Sequence, residues 1–153
     1  MNMKKLVLPN EILLGEVERL LSQGTSVTIM TKGNSMLPFI VGERDSVVLK
    51  PYGEPRVGDI ALAHLHNGAY VLHRIIDISD TGIVTLMGDG NIRGTEHCHV
   101  NRLCGKTVTV IRKGRRCNPD SKSWVIMSSL WRRMLPVRRY LLAVYRRVFI
   151  KLI

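Results

Sequence analysis

The sequence predicts a mainly β domain of the α+β class, with a short N-terminal helix and a basic amphipathic C-terminal helix. Between residues 26 and 113, short β-rich runs alternate with Gly, Pro, Asn and Asp, which is the pattern of strands and turns. On either side of that region, apolar residues recur with the period of a helix. We therefore expect one folded domain over residues 1–113, including the first helix, and a helical tail over residues 114–153.

The first element is predicted to be an amphipathic helix over Pro9–Gln23, ended by Gly24. Its apolar residues gather on one side: Ile12, Leu13, Val17, Leu20 and Leu21. The apolar run before this helix is too short for a signal-peptide core. No later run reaches the ~18 apolar residues of a membrane span, so we expect no transmembrane helix.

Six strands are predicted to follow the helix. They are Val27–Thr31, Ser46–Lys50, Asp59–His66, Ala69–Ile78, Gly82–Met87 and Lys106–Arg112. The dipeptide Asn67-Gly68 is a strong hairpin signal between the third and fourth strands. A two-residue loop there would place His73 opposite Leu62, and it would put His64 and His66 on the same face as His73.

The charge is unevenly distributed along the chain. Residues 1–111 carry 11 basic and 11 acidic residues, whereas residues 112–153 carry 12 basic residues and one acid, Asp120. The whole net charge of +11 therefore lies in the last quarter of the sequence. Because the β-rich part is neutral and has few aromatic residues, a nucleic-acid-binding protein is a poor alternative.

The tail is predicted to form an amphipathic helix that Pro136 kinks or splits in two. One side gathers apolar residues, and most arginines lie opposite. The apolar set is Met127, Leu130, Met134, Val137, Leu141, Val144, Tyr145, Val148 and Leu152. Docking on the β domain suits Trp124–Leu130, and a solvated basic tail is a second alternative. We expect the rest to lie on an anionic membrane surface, which predicts a peripheral membrane protein on the cytoplasmic side.

The cysteines and histidines predict no metal site and no disulfide framework. Cys98, Cys104 and Cys117 are odd in number and widely spaced, which favours a reducing compartment. The His-Cys-His run at residues 97–99 matches no standard structural zinc spacing. We therefore expect neither a metal nor another cofactor.

Four short segments, in order along the chain, suggest a function. "GNSMLPFI", "VGDIALAHL", "YVLHRII" and "MGDGN" resemble the S24/S26 serine peptidase group, most closely the signal peptidases of the archaeal and endoplasmic-reticulum type. The resemblance covers roughly residues 10–113 and implies a LexA/signal-peptidase-like coiled β-sheet. It also implies that Ser35 is the nucleophile and His73 the base. Bacterial-type signal peptidases and LexA-like repressors have lysine at the base position.

A serine hydroxyl needs a base within ~3 Å to become a nucleophile at neutral pH. An imidazole is suitable because it titrates near ~6.5 when free, and a carboxylate on its other nitrogen fixes the tautomer. The resemblance gives Asp89 as the first choice for this carboxylate. The family pattern has a second acid a few residues later, for which Glu96 is the candidate, although its spacing and residue type differ.

The remaining site residues concern the substrate, which we expect to be a precursor peptide bound in an extended form. Gly33 allows close backbone approach, the Ser35 N–H can stabilise an oxyanion, and Pro38 stiffens the chain after the nucleophile. Met36 and Ile60 are the other predicted substrate contacts, with Ile60 on a strand whose edge would pair with the peptide. The predicted function is therefore serine endoproteolysis of a signal or leader sequence. A catalytically weak peptide-binding module of the same fold is the alternative.

Overall fold

The structure is a computed structural model, and it describes residues 10–148. Within this range, eight antiparallel strands form one sheet, with one helix before it and two after it. The helices are α1 (Asn10–Ser22), α2 (Lys122–Arg133) and α3 (Leu135–Val148), and a 3-10 turn spans Val100–Arg102. The strands are β1 (Val27–Met30), β2 (Asp45–Lys50), β3 (Ile60–His64), β4 (Tyr70–Ile78), β5 (Ile83–Met87), β6 (Glu96–His99), β7 (Leu103–Arg112) and β8 (Arg115–Cys117).

The predicted fold class is confirmed: the protein is mainly antiparallel β, with a short N-terminal helix and helical C-terminal segments. All six predicted strands are present, and their ends lie within three residues of the predicted ones. The prediction missed the short strands β6 and β8. Pro9 and Leu152 lie outside the described residues.

The strand order is β1-β2-β7-β3-β4-β5-β6, and β8 pairs with β7. β3 is hydrogen-bonded to β4 on one side and to β7 on the other. The expectation that an extended peptide pairs along β3 is therefore wrong, because neither edge of that strand is free. β1 lies at one end of the strand order, and β2 is its only partner strand among the described residues.

The β3–β4 hairpin differs by one residue from the predicted register. His73 lies opposite Ala61, not Leu62, and His64 lies opposite Tyr70. The reason is the loop: the Leu65 N–H donates to the Ala69 carbonyl, and the turn closes through residue 68, a glycine with φ +88°. A turn of this kind holds three residues instead of two. A register shift of one residue moves the side chains of one strand to the other face of the sheet relative to its partner strand. His64 therefore stacks on the Tyr70 ring and does not share the face of His73.

The core has two main parts, and α1 covers one of them. Val17 and Leu21 of α1 are buried against the sheet, whereas Ile12 and Leu13 from the same predicted apolar side are exposed. The first part also includes residues from β2, β3, β7 and the turn after β1: Met36, Phe39, Ile40, Val47, Leu49, Ile60, Leu62 and Val110. The second lies around β3–β6 and contains Ala61, Ala63, Leu65, Ile75, Val84, Leu86 and Cys98.

The tail forms two helices that both dock on the domain. α2 ends at Arg133, and Pro136 lies in the first turn of α3, where a proline is tolerated. Trp131 packs against the first part of the core, and Leu142 is 1% exposed against Leu37 and Val41. The expectation that only the beginning of the tail docks is therefore wrong, because α3 also buries a side chain in the domain.

Candidate active site

Ser35 lies in a turn over residues 35–39, in the segment that connects β1 to β2, and it is half-buried. Gly42 holds this segment closed, because a Cβ there would collide with the Gly33 backbone. The Ser35 carbonyl accepts a 2.8 Å hydrogen bond from the Gly90 N–H. The segment that follows β5 therefore supports the turn that carries the predicted nucleophile.

Two glycines make this support possible. A Cβ on Gly88 would collide with the Ser35 carbonyl oxygen, and a Cβ on Gly90 would collide with the Asn34 carbonyl oxygen. Neither glycine has a positive φ, so close backbone packing is the reason for glycine at both positions. The sequence "GDG" at residues 88–90 is thus a packing surface for the Ser35 turn.

Ser35 and His73 line the same cavity, which has a volume of about 220 Å³. Gly33 and Met36, two of the predicted substrate contacts, line it as well. Apolar side chains supply much of the remaining wall, including Leu14, Ile29, Ile40, Leu62 and Leu72. The cavity therefore brings Ser35 and His73 together at a site whose wall is partly polar and partly apolar.

The acid beside His73 is Glu96. Glu96 Oε2 lies 2.8 Å from His73 Nδ1, and the His73 side chain is 8% exposed. Glu96 begins β6, opposite Leu86 of β5, and Leu86 in turn lies opposite Ile75 of β4. The β5–β6 hairpin thus carries the carboxylate to the level of His73. A carboxylate at Nδ1 fixes the proton on that nitrogen and leaves Nε2 as the basic atom.

Asp89 has a different partner. Its two carboxylate oxygens accept hydrogen bonds from Arg74 Nε and Nη2 at 2.8 and 2.7 Å, and both side chains are buried. The structure therefore corrects the first choice of acid: Asp89 is held by Arg74, and Glu96 is bonded to His73. The physical reason is the pleat, since neighbouring residues of β4 direct their side chains to opposite faces.

Two of the predicted substrate contacts lie elsewhere. Ile60 is 1% exposed and belongs to the core. Pro38 lines a second, mainly apolar cavity of about 320 Å³ together with Phe39, Trp124 and Trp131. Ile60 does not line the cavity of Ser35 and His73, whereas Leu62, two residues further along β3, does.

Sequence reasoning missed two groups of residues next to the site. The first is Glu18, whose carboxylate accepts from the Tyr70 hydroxyl and lies 3.1 Å from His64 Nδ1. Burial, together with this hydrogen bond, raises the pKa of Tyr70, which lines the cavity. Helix α1 is thus tied to β4 beside the cavity. The stacking of His64 on Tyr70 was not predicted, because the predicted hairpin register was wrong by one residue.

The second group belongs to the helical tail. Trp131 Nε1 donates to the Asp89 carbonyl at 2.7 Å, and Arg138 donates to the Asn91 carbonyl at 3.1 Å. Arg138 is 3% exposed, and burial lowers the pKa of its guanidinium. No sequence signal identified the carbonyls that these two side chains bind.

Comparison of the chain with protein-family models and with curated proteins finds no match.

Proposed function

We propose that this protein is a serine endopeptidase that cleaves precursor peptides, such as signal or leader sequences, by a Ser-His-Glu mechanism. One observation carries the proposal: Ser35 and His73 line one cavity, and Glu96 Oε2 lies 2.8 Å from His73 Nδ1. A nucleophile, a base and an acid that orients the base are the parts that acyl transfer requires. The resemblance of the four sequence segments to S24/S26 peptidases supports the choice of a peptide substrate.

In this mechanism, the Glu96 carboxylate accepts a hydrogen bond from the Nδ1–H of His73, and Nε2 acts as the base. Nε2 removes the Ser35 hydroxyl proton as Oγ attacks the scissile carbonyl carbon, and it then protonates the leaving amine. Water, deprotonated by the same nitrogen, hydrolyses the acyl-enzyme. Glu96 stabilises the imidazolium that forms in each half of the reaction.

The backbone offers a donor for the developing oxyanion. Among residues 10–148, the Ser35 N–H has no hydrogen-bond acceptor. It is therefore free to donate to the substrate oxygen when the tetrahedral intermediate forms. The hydrogen bond from Gly90 to the Ser35 carbonyl holds the same peptide segment in place during this step.

The substrate is proposed to bind as an extended strand along β1. Ile29 and Met30 of β1 line the cavity with Ser35, and β1 is an edge strand of the sheet formed by residues 10–148. Main-chain hydrogen bonds to such an edge hold a peptide without regard to most of its side chains. One apolar side chain of the peptide would then enter the cavity.

The test is to incubate the protein with a peptide library and to map new termini by mass spectrometry. We expect cleavages that disappear in Ser35→Ala, with a loss of about 10⁶-fold in rate for a peptide identified in this way. His73→Ala should lose a similar factor. His64→Ala is the matched control, since His64 is bonded to Glu18 and does not line the cavity.

Cleavage that persists in Ser35→Ala at most of its original rate would disprove the proposal. Peptide binding without any cleavage by the unaltered protein would support the alternative of a binding module.

A further inference from the structure

The docked helices α2 and α3 leave a set of apolar side chains exposed to solvent. We call this set the outer helical face; it comprises Ile126, Met127, Leu130, Val137, Leu141, Val144 and Val148. The most exposed members are Ile126 at 66%, Val144 at 58% and Leu130 at 57%. Large apolar side chains at this exposure, gathered on two consecutive helices, are typical of an interaction surface.

The spacing shows that these residues form continuous stripes. Val137, Leu141, Val144 and Val148 are separated by four, three and four residues, which places them on one side of α3. Ile126 and Leu130 are four residues apart on α2. Docking uses other residues, since Arg138 and Leu142 are the buried residues of α3. The apolar stripes are therefore additional to the core-facing surface.

The charge of the two helices has one sign. Residues 121–148 contain seven Lys or Arg and no Asp or Glu. The structure buries Arg138, whereas Arg133, Arg139, Arg146 and Arg147 are exposed. Within the described part of the chain, none of these four arginines forms an ion pair with a carboxylate. Exposed cations without anionic partners among residues 10–148 therefore lie on the same two helices as the exposed apolar stripes.

We propose that the outer helical face binds the surface of an anionic lipid bilayer. Its apolar side chains enter the boundary between headgroups and acyl chains, and the neighbouring arginines contact anionic headgroups. An anionic bilayer offers negative charge to the arginines and an apolar phase to the apolar side chains of the outer helical face. No helix within residues 10–148 is long and apolar enough to cross a membrane.

A second copy of the chain fits this face less well than a bilayer. Isologous pairing would bring the arginines of α2 and α3 from both copies together, and these helices contain no carboxylate to compensate. The proposal is independent of the peptidase proposal, because vesicle binding needs neither Ser35 nor a peptide.

The experiment is flotation of the full-length protein with vesicles of phosphatidylcholine alone or mixed with phosphatidylglycerol, at low and at high salt. We expect flotation with the anionic vesicles at low salt, weakened by high salt. Arg146→Gln/Arg147→Gln should weaken binding roughly 30-fold, at about fivefold for each arginine near an anionic surface. Ile126→Ser/Leu130→Ser should abolish flotation.

Ile83→Ser is the matched control, because Ile83 is a 40% exposed apolar residue of β5 and belongs to neither helix. It should float like the unaltered protein, and so should Ser35→Ala. Thermal unfolding checks that each variant is folded. If Ile126→Ser/Leu130→Ser does not fold, Val144→Ser/Val148→Ser replaces it.

Three results would overturn the proposal: no flotation with anionic vesicles, equal flotation with neutral and anionic vesicles, or no effect of the variants of the outer helical face. A dimer that forms with rising protein concentration and is lost in Ile126→Ser/Leu130→Ser would also overturn it, since the face would then bind a second copy.

Discussion

His73 and Arg74 are neighbours on β4, and their side chains select two different carboxylates. Nδ1 of His73 is bonded to Glu96, whereas the guanidinium of Arg74 holds Asp89 through two hydrogen bonds and also donates to the Gly58 carbonyl. Glu96 therefore takes part in the proposed mechanism, whereas Asp89 compensates the buried charge of Arg74. Substitution of Glu96 should therefore mainly reduce activity, whereas substitution of Asp89 should mainly reduce the stability of the fold.

Glu96→Gln should reduce kcat by about 10⁴-fold with little change in the melting temperature. A glutamine amide can keep a contact with Nδ1, but it favours the wrong tautomer of His73 and cannot stabilise the imidazolium. Glu96 is half-buried and near the surface, so the free energy of unfolding should change little. Steady-state kinetics and thermal unfolding of the same preparation measure both effects.

Asp89→Asn should mainly destabilise the fold, by about 3 kcal/mol, because it leaves the Arg74 charge buried without its partner. The lost stability should appear in chemical denaturation, and the activity that remains at low temperature should exceed that of Glu96→Gln. A large loss of kcat in Asp89→Asn with unchanged stability would instead assign the orienting role to Asp89.

Ser35 and His73 were predicted to share one site, and both line one cavity, but Asp89 was ranked above Glu96 as the acid that contacts His73. The "GDGN" segment was the stronger motif, and Glu96 had an unusual spacing. What the sequence did not provide was the strand β6, whose residues Glu96–His99 are polar apart from a buried cysteine. Without that strand, nothing placed Glu96 beside His73.

At the scale of elements, the Ser35 turn and the segment after β5 form one packed unit. Gly88 and Gly90 lie directly against the carbonyls of Ser35 and Asn34, and Trp131 of α2 holds the Asp89 carbonyl from the other side. Three separate elements therefore determine where the Ser35 hydroxyl lies. Small displacements of this unit should affect catalysis more than stability, since about 1 Å of misplacement can cost 10²-fold in rate.

Gly90→Ala tests this packing. The new Cβ would collide with the Asn34 carbonyl oxygen, so the Ser35 turn must shift. We expect a loss of about 10²-fold in kcat/KM. Gly53→Ala is the control, because Gly53 has an ordinary φ and nothing within 4 Å of its Cβ position. Equal activity of the two variants would mean that the turn does not depend on the Gly88–Gly90 segment.

The elements themselves were largely predictable, whereas their register was not. Apolar runs and turn residues predicted six strands, because strand propensity and the alternation of side chains along a strand depend only on a few neighbouring residues. The β3–β4 register failed because Asn67-Gly68 is compatible with both a two-residue and a three-residue loop, and Gly68 with φ +88° closes the longer one. Only pairing with neighbouring strands distinguishes the two loops.

At the scale of the whole molecule, the neutral sheet domain and the basic tail form one packed structure. The tail's helical periodicity predicted an apolar stripe, and six of its members are exposed in the structure: Met127, Leu130, Val137, Leu141, Val144 and Val148. The docking surface was not predictable, because it depends on Arg138, a charged side chain that is buried against the carbonyls of Asn91 and Trp131. Tests of the outer helical face therefore use point variants of the full chain, since removal of the tail would uncover Leu37 and Val41 in the core.

The stability of the whole molecule should depend on Asp45, which joins the Ser35 segment to the sheet. Its buried carboxylate accepts from the Val41 N–H at 2.9 Å and from Arg44 at 2.8 Å, and Arg112 lies 3.4 Å away. Burial alone would raise the pKa of Asp45, but these hydrogen bonds and the two positive charges together lower it. A group whose pKa is lower in the folded state stabilises the fold fully above its unfolded value, near ~3.9, and loses that contribution as the pH falls through the folded value.

Asp45→Asn should therefore lower the free energy of unfolding by about 3 kcal/mol at neutral pH, because the variant leaves buried donors and charge without their partner. The difference from the unaltered protein should shrink as the pH falls from about 4, where Asp45 is protonated in the unfolded state, towards its lowered folded value. Urea denaturation at a series of pH values measures this difference. Asp80→Asn is the control, since Asp80 is exposed and, among residues 10–148, has no ion pair. A difference for Asp45→Asn that stays constant down to low pH would show that its charge does not contribute to stability, and that packing alone accounts for the loss.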